Sequence, residues 1–204
     1  DKGAAYIHWD EKRKAYANQT GDIRRGVGMA LFSYKTGVWP ISLEIAGARL
    51  SLNQDGSVQL QVGATEIGQG ADTVFSQMAA ETLHMDISRV HIVTQQDTDV
   101  TPFDTGAYAS RQSFVTGTAV KECAQQLKQK ILEYARTLVP GNVDRLELED
   151  GYILADGKPA ISLEDLAMES YYSLSNSSVL TAEVSRQVKK NTVASGCCFA
   201  EVEV

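Results

Sequence analysis

Residues 44–62 read EIAGARLSLNQDGSVQLQV and run directly into 63–70, GATEIGQG. Two apolar-alternating stretches flank Asn53-Gln54-Asp55-Gly56, a turn whose Asn, Asp and Gly tolerate positive φ, so the pair reads as a β-hairpin. Val58, Leu60 and Val62 fall on one face, and Gln59 and Gln61 on the other. The three glycines of 63–70 then cost backbone entropy, which marks a tight corner or a close approach to the backbone. Beyond the corner, Val74, Phe75, Met78, Ala79, Thr82 and Leu83 recur at helical spacing, and the β-branched VHIVT at 90–94 reads as a strand. Strand, glycine corner, helix, strand is a crossover unit, and it sets the expectation of an α+β fold: a layered mixed sheet with packed helices.

The rest of the chain is consistent with that core. Residues 4–17, rich in helix formers, are expected as one helix, and residues 24–34, RRGVGMALFSY, as a strand. A polar loop leads to the longest helix, with an apolar stripe of Val120, Cys123, Leu127, Ile131, Tyr134 or Ala135, and Leu138, ended by Pro140-Gly141. LELEDGYILA at 146–155 reads as a second hairpin, and Ser162 to Asp165 has capping-box spacing before LAMESYY. Residues 173–179 read as a loop. With no repeat and no clear linker, 1–204 is expected as one domain or subdomain.

The 204 residues are 43% hydrophobic and 22% charged, an ordinary globular composition. A net charge of −7 disfavours nucleic acid as a partner. No apolar run approaches the roughly 20 residues that span a bilayer, and the first residues lack a signal-peptide core, so the expectation is cytoplasmic, with no membrane partner. Cys123, Cys197 and Cys198 lack metal-type spacing and read as small buried hydrophobes, and His8, His84 and His91 are too dispersed to suggest zinc. An initial Asp1 and a strand-like C-terminus suggest an internal piece of a longer polypeptide.

Two corners carry candidate chemistry. GATEIGQG has the glycine spacing of a phosphate loop, but Gln69-Gly70 stand where that motif places Lys and Ser or Thr. What remains is a helix start that favours an anion, plus an amide that can donate and accept. The second corner, DTGAYASRQS at 104–113, sets Gly106, Ala107, Ala109 and Ser110 before another helix, and Arg111 could grip a phosphate in bidentate fashion. A plainer reading stays open for both: tight turns and a helix cap with a solvated arginine. Glu66, Asp97, Asp99 and Asp104 lie nearby without a partner at fixed spacing, and read as turn or capping residues rather than a tuned acid or base. One extended ligand with phosphate and heterocyclic parts would satisfy both corners; a non-catalytic nucleotide-binding or assembly module is the alternative.

RGVGMALF (25–32), the hairpin with GATEIGQGADT (63–73), QDTDVTPFDTGAYASRQSFVTGTAV (96–120) and CCFAEVEV (197–204) resemble, in that order, the molybdopterin-binding domain of molybdenum hydroxylases of the xanthine dehydrogenase type. The resemblance covers nearly the whole chain and is weak over 140–190. It implies a molybdenum–molybdopterin cofactor, often the cytosine dinucleotide form in bacteria, and hydroxylation of a purine, related heterocycle or aldehyde with oxygen from water. By position, it implies that Ile67, Gly68 and Gln69, with Gly70, meet the pterin and its phosphate. Ala109 would line the molybdenum centre, and Ala107, Ser110, Arg111 and Gln112 would bind the adjoining cofactor. The animal members carry an apolar residue at Arg111, so its phosphate role rests on the helix-terminus argument. The resemblance places the catalytic glutamate beyond Val204, so no catalytic residue is expected here and the piece alone should not turn over. Iron–sulfur and FAD groups would sit on other domains or subunits.

Overall fold

The computed structural model describes residues 2–204. In chain order its elements are α1 (Lys2–Tyr6), α2 (Trp9–Ala15), β1 (Arg25–Thr36), β2 (Ile45–Leu52), β3 (Val58–Val62), α3 (Ala71–Leu83), β4 (Val90–Ile92), α4 (Gln112–Leu138), β5 (Leu146–Glu149), β6 (Tyr152–Ala155), β7 (Lys158–Ser162), α5 (Leu163–Tyr172), β8 (Thr181–Gln187) and β9 (Thr192–Glu203). Two compact units emerge, Gly37–Lys190 and a second made of the residues up to Thr36 with Asn191–Val204. Their boundary crosses the chain twice without a linker composition, so it leaves no mark in the sequence. Among the described residues no helix is long and apolar enough to cross a membrane.

The larger unit is built on the hairpin. β2 and β3 pair antiparallel with Leu50 opposite Leu60, β8 adds antiparallel to β2, and β4 adds parallel to β3. The order β4-β3-β2-β8 is therefore a mixed sheet, with the crossover through α3 as its parallel step. Leu50, Leu52, Val58, Leu60 and Val62 are fully buried, together with Phe75 and Leu83 of α3 and Val115, Val120, Leu127 and Ile131 of α4. Burying side chains of this size contributes about 1.5–3 kcal/mol each. The opposite sheet face is polar: Arg49 pairs with Glu183 at 2.9 Å, and Ser51 meets Thr181 at 3.0 Å.

The three-stranded sheet β5-β6-β7 turns at Asp150 and Gly151, both at positive φ, as the Asp-Gly pair requires. Leu148 and Ile153 sink into the same core as Leu163 and Leu166 of α5. The Ser162 hydroxyl accepts the Asp165 N–H at 3.0 Å and donates to the Asp165 carboxylate at 2.6 Å, closing the expected cap.

In the smaller unit, β1 and β9 form a twelve-pair antiparallel ribbon whose Met29, Leu31 and Phe32 are exposed. Phe32 lies over Gly196, where an added Cβ would fall 2.2 Å from the ring. The single helix expected over 4–17 is instead α1 and α2, broken at His8, which adopts a left-handed conformation with φ 58°. The helix propensity of that stretch does not register the kink. The cysteine expectation also needs correction. Cys123 is buried on α4, but Cys197 and Cys198 are exposed on β9, because a two-stranded ribbon buries neither face.

Candidate functional site

Gly63 follows β3 because nothing larger fits: a Cβ there would sit 2.1 Å from the Pro102 carbonyl oxygen, and one at Gly47 would sit 2.7 Å from the Pro102 ring. The loop before α4 thus lies directly on the hairpin, where Asp104 forms a β-bridge with Ala46. This close approach brings the two sequence corners together.

At the first corner, Gly68 and Gly70 take φ of 97° and 85°, the left-handed region that glycine enters without strain. The Glu66 carboxylate accepts the N–H groups of Gly68 at 2.6 Å, Gly70 at 3.1 Å and Asp72 at 3.2 Å. These bonds, with Gly70's the largest, hold Glu66 below the usual carboxylate range. The chain therefore supplies its own anion to the start of α3, and this corner is not the open phosphate cradle that its glycines suggested. Its capping role is the one expected for Glu66. Asp72, partly buried beside it, shifts the other way, first through desolvation and then through the Glu66 charge.

Gln69 stays exposed at the rim. Its amide nitrogen donates to the Gln112 side-chain carbonyl and to Thr65 O, and its oxygen accepts the Ile67 N–H. Gln112 donates to the same Thr65 oxygen at 3.0 Å. Both donors of Gln69 are thus in use, which leaves it one acceptor lone pair, while Gln112 keeps one donor.

At the second corner, Ala109 and Ser110 both adopt left-handed backbone, φ 48° and 51°, at about 1–2 kcal/mol each for non-glycine residues. The Ala109 carbonyl is held by the Gly37 N–H at 2.8 Å. No side chain caps α4, and the N–H groups of Gln112 and Ser113 meet no acceptor among the described residues. A helix start of this kind carries roughly half a positive charge.

Arg111, expected to grip a phosphate, has its guanidinium paired inside the protein. Its side chain is fully buried between the carboxylates of Glu44 and Asp104, at 2.5 Å from each. Burial alone would lower its pKa, but the two carboxylates outweigh that and raise it. The signal missed in the sequence is Glu44, far away along the chain at the entry to β2.

Between the corners lies a cleft of about 470 Å³, walled by Ile67 and Gln69 on one side and by residues 107–113 on the other. Ile67, Gln69, Ala107, Ala109, Ser110, Arg111 and Gln112 meet there as the sequence grouped them, Arg111 with its side chain turned into the protein, whereas Gly68 and Gly70 shape the corner from outside the wall. Tyr108 and Ser113 join the wall without having been singled out as ligands. Among the described residues no cluster of His, Cys, Asp or Glu could hold a metal ion.

The molybdopterin cofactor-binding domain model matches residues 2–204, and the chain belongs to that family. It is 47% identical over its whole length to the xanthine dehydrogenase molybdenum-binding subunit of Escherichia coli O157:H7, of which it covers 28%. It is 28% identical, over 81% of its length, to the 6-hydroxypseudooxynicotine dehydrogenase complex subunit gamma of Paenarthrobacter nicotinovorans, covering 20% of that protein. The chain thus spans between a fifth and little more than a quarter of these relatives. Its fold matches CO dehydrogenase from Oligotropha carboxidovorans with a TM-score of 0.80 at 22% identity, and quinoline 2-oxidoreductase from Pseudomonas putida 86 with 0.77 at 21%. All of the chain superposes in both cases, on 27% of each neighbour. The cleft's chemistry suits the family's cofactor: unpaired N–H groups at a helix start for a phosphate, small Ala107 and Ala109 that leave the backbone approachable, and spare amide groups for a heterocycle edge.

Proposed function

We propose that the chain is the molybdopterin-binding part of a xanthine dehydrogenase-type oxidoreductase that hydroxylates a purine or related heterocycle with oxygen from water. The observation that carries this reading is the single cleft in which the residues of both corners converge. The N–H groups of Gln112 and Ser113 take the phosphate of the cofactor. Gln69, with only an acceptor free, takes an N–H of the pterin edge, and Gln112 donates beside it. Ala109 faces the metal end. Gly68 and Gly70 act at one remove, by setting the corner that aims Gln69. When bound, the cofactor supplies the molybdenum at which oxygen and electrons are exchanged. These residues bind and orient it, and no acid or base for the reaction lies in this chain, so the piece alone is inactive. Relatives named as xanthine dehydrogenase subunits favour a purine substrate. Iron–sulfur and flavin groups on other domains or subunits carry the electrons away, and the assembly is cytoplasmic.

The test fills the cleft. Ala107→Trp in the full-length protein should retain its circular dichroism spectrum while bound molybdenum and released pterin both fall about tenfold or more. Full cofactor content in that variant would overturn the proposal.

A further inference from the structure

Arg111 belongs to the cleft wall, but its side chain runs into a buried polar cluster that the proposed function leaves without a task. Arg111 Nε donates to Glu44 at 2.5 Å, Nη1 to Asp104 at 2.5 Å and to Gly106 O at 2.9 Å, and Nη2 to Ile45 O at 2.7 Å. The carboxylates are themselves satisfied. Glu44 accepts the Val38 N–H, while Asp104 accepts the Gly106 N–H at 2.8 Å and the Thr116 hydroxyl at 2.7 Å. Buried ion clusters of this kind stabilise a fold little compared with apolar packing of the same volume. Their use lies in what they hold.

The contacts among Asp104, Gly106 and Arg111 close around the two ends of one segment. Asp104, Gly106 and Arg111 bracket residues 107–110, Thr116 anchors the first turns of α4, and Glu44 with Ile45 ties both to the entry of β2. The bracketed turn contains the two consecutive left-handed residues, Ala109 and Ser110, a conformation that persists only where its surroundings enforce it. From inside, the Arg111 guanidinium also lies over the Tyr108 ring, 5.4 Å from its centroid.

We infer that Arg111, clamped by Glu44 and Asp104, is a positioning residue: it holds the 107–110 turn in its strained form and so aims the N–H groups of Gln112 and Ser113 into the cleft, without touching the ligand. This rests on the reading of the cleft as the molybdopterin site.

The experiment compares Arg111→Met, Arg111→Lys, Thr116→Val and Ala107→Trp in the full-length protein. It measures molybdenum and pterin content alongside amide hydrogen exchange over residues 105–115. Folded Arg111→Met should lose cofactor by roughly tenfold or more, as small misplacements do, and exchange should rise at 107–113 but not across β2 and β3. Arg111→Lys should restore part of the loss. Thr116→Val, which removes one bond to Asp104, should show the same pattern more weakly, and decides the matter if Arg111→Met does not fold. Normal cofactor content in folded Arg111→Met and in Thr116→Val would overturn the inference. So would cofactor loss with unchanged exchange, which would make Arg111 a direct ligand. If Ala107→Trp empties the cleft while the other variants keep their cofactor, only the positioning role falls; if Ala107→Trp keeps it, the site reading falls first.

Discussion

Gln69 donates its side-chain amide to the side-chain carbonyl of Gln112, which joins two corners 43 residues apart in the chain. The bond couples the strand-to-helix turn before α3 to the start of α4, and it fixes which amide atoms remain for a ligand. Removing either partner should therefore disturb the other. In a double-mutant cycle with Gln69→Ala and Gln112→Ala in the full-length protein, cofactor affinity should fall non-additively, with a coupling of about 0.5–3 kcal/mol. Additive losses, read from titration with the released cofactor, would show that the two amides act independently.

The helix α3 start depends on the Glu66 charge. Its pKa is depressed in the fold, so its contribution to stability is present above the unfolded carboxylate value and is lost as pH falls through the lower folded value. Glu66→Gln should lower the melting temperature at neutral pH, and the gap to wild type should close as the pH drops below the usual carboxylate range. A gap that is constant with pH would contradict the cap.

Two glycines separate packing from flexibility. Gly63→Ala would drive a Cβ into the Pro102 carbonyl, whereas a Cβ at Gly26 meets nothing within 4 Å. Overpacking of this kind costs about 1–3 kcal/mol. Urea unfolding should show that loss for Gly63→Ala and much less for Gly26→Ala. Because the same contact lays the loop on the hairpin, Gly63→Ala should also reduce bound cofactor.

Burial pushes the Cys123 thiol up to about 11. At pH 7 only about one thiol in ten thousand would then be ionised, and the thiolate is the reactive form. With Cys197 and Cys198 replaced by serine, alkylation of the native protein should be negligible and should become rapid in denaturant. Fast labelling of the native form would contradict the packing of α4 on β2 and β8.

The hairpin, the crossover through α3 and the apolar stripe of α4 were legible because each is written in local periodicity and turn chemistry. Gly63-Ala64 through Gly70 also announced a corner, and residues 107–112 a second one. The partnerships were not legible. Glu66 sits two residues before Gly68, close enough to read as a cap, yet nothing local shows that it uses up the N–H groups a phosphate would need. Arg111 at a helix start looks like a solvated or ligand-seeking cation until the fold brings Glu44 beside it. The break at His8 and the exposure of Cys197 and Cys198 depend on what packs around them, and neither propensity nor alternation encodes that.

Ile67, Gln69 and residues 107–113 form the wall against which the proposed cofactor lies. A crystal structure of the cofactor-loaded full-length protein, with data collected at the molybdenum absorption edge, measures this directly. Cofactor density is expected in the cleft, with a phosphate on the N–H groups of Gln112 and Ser113 and a pterin N–H on the Gln69 oxygen. Cofactor density with no atom within about 4 Å of either stretch would contradict it.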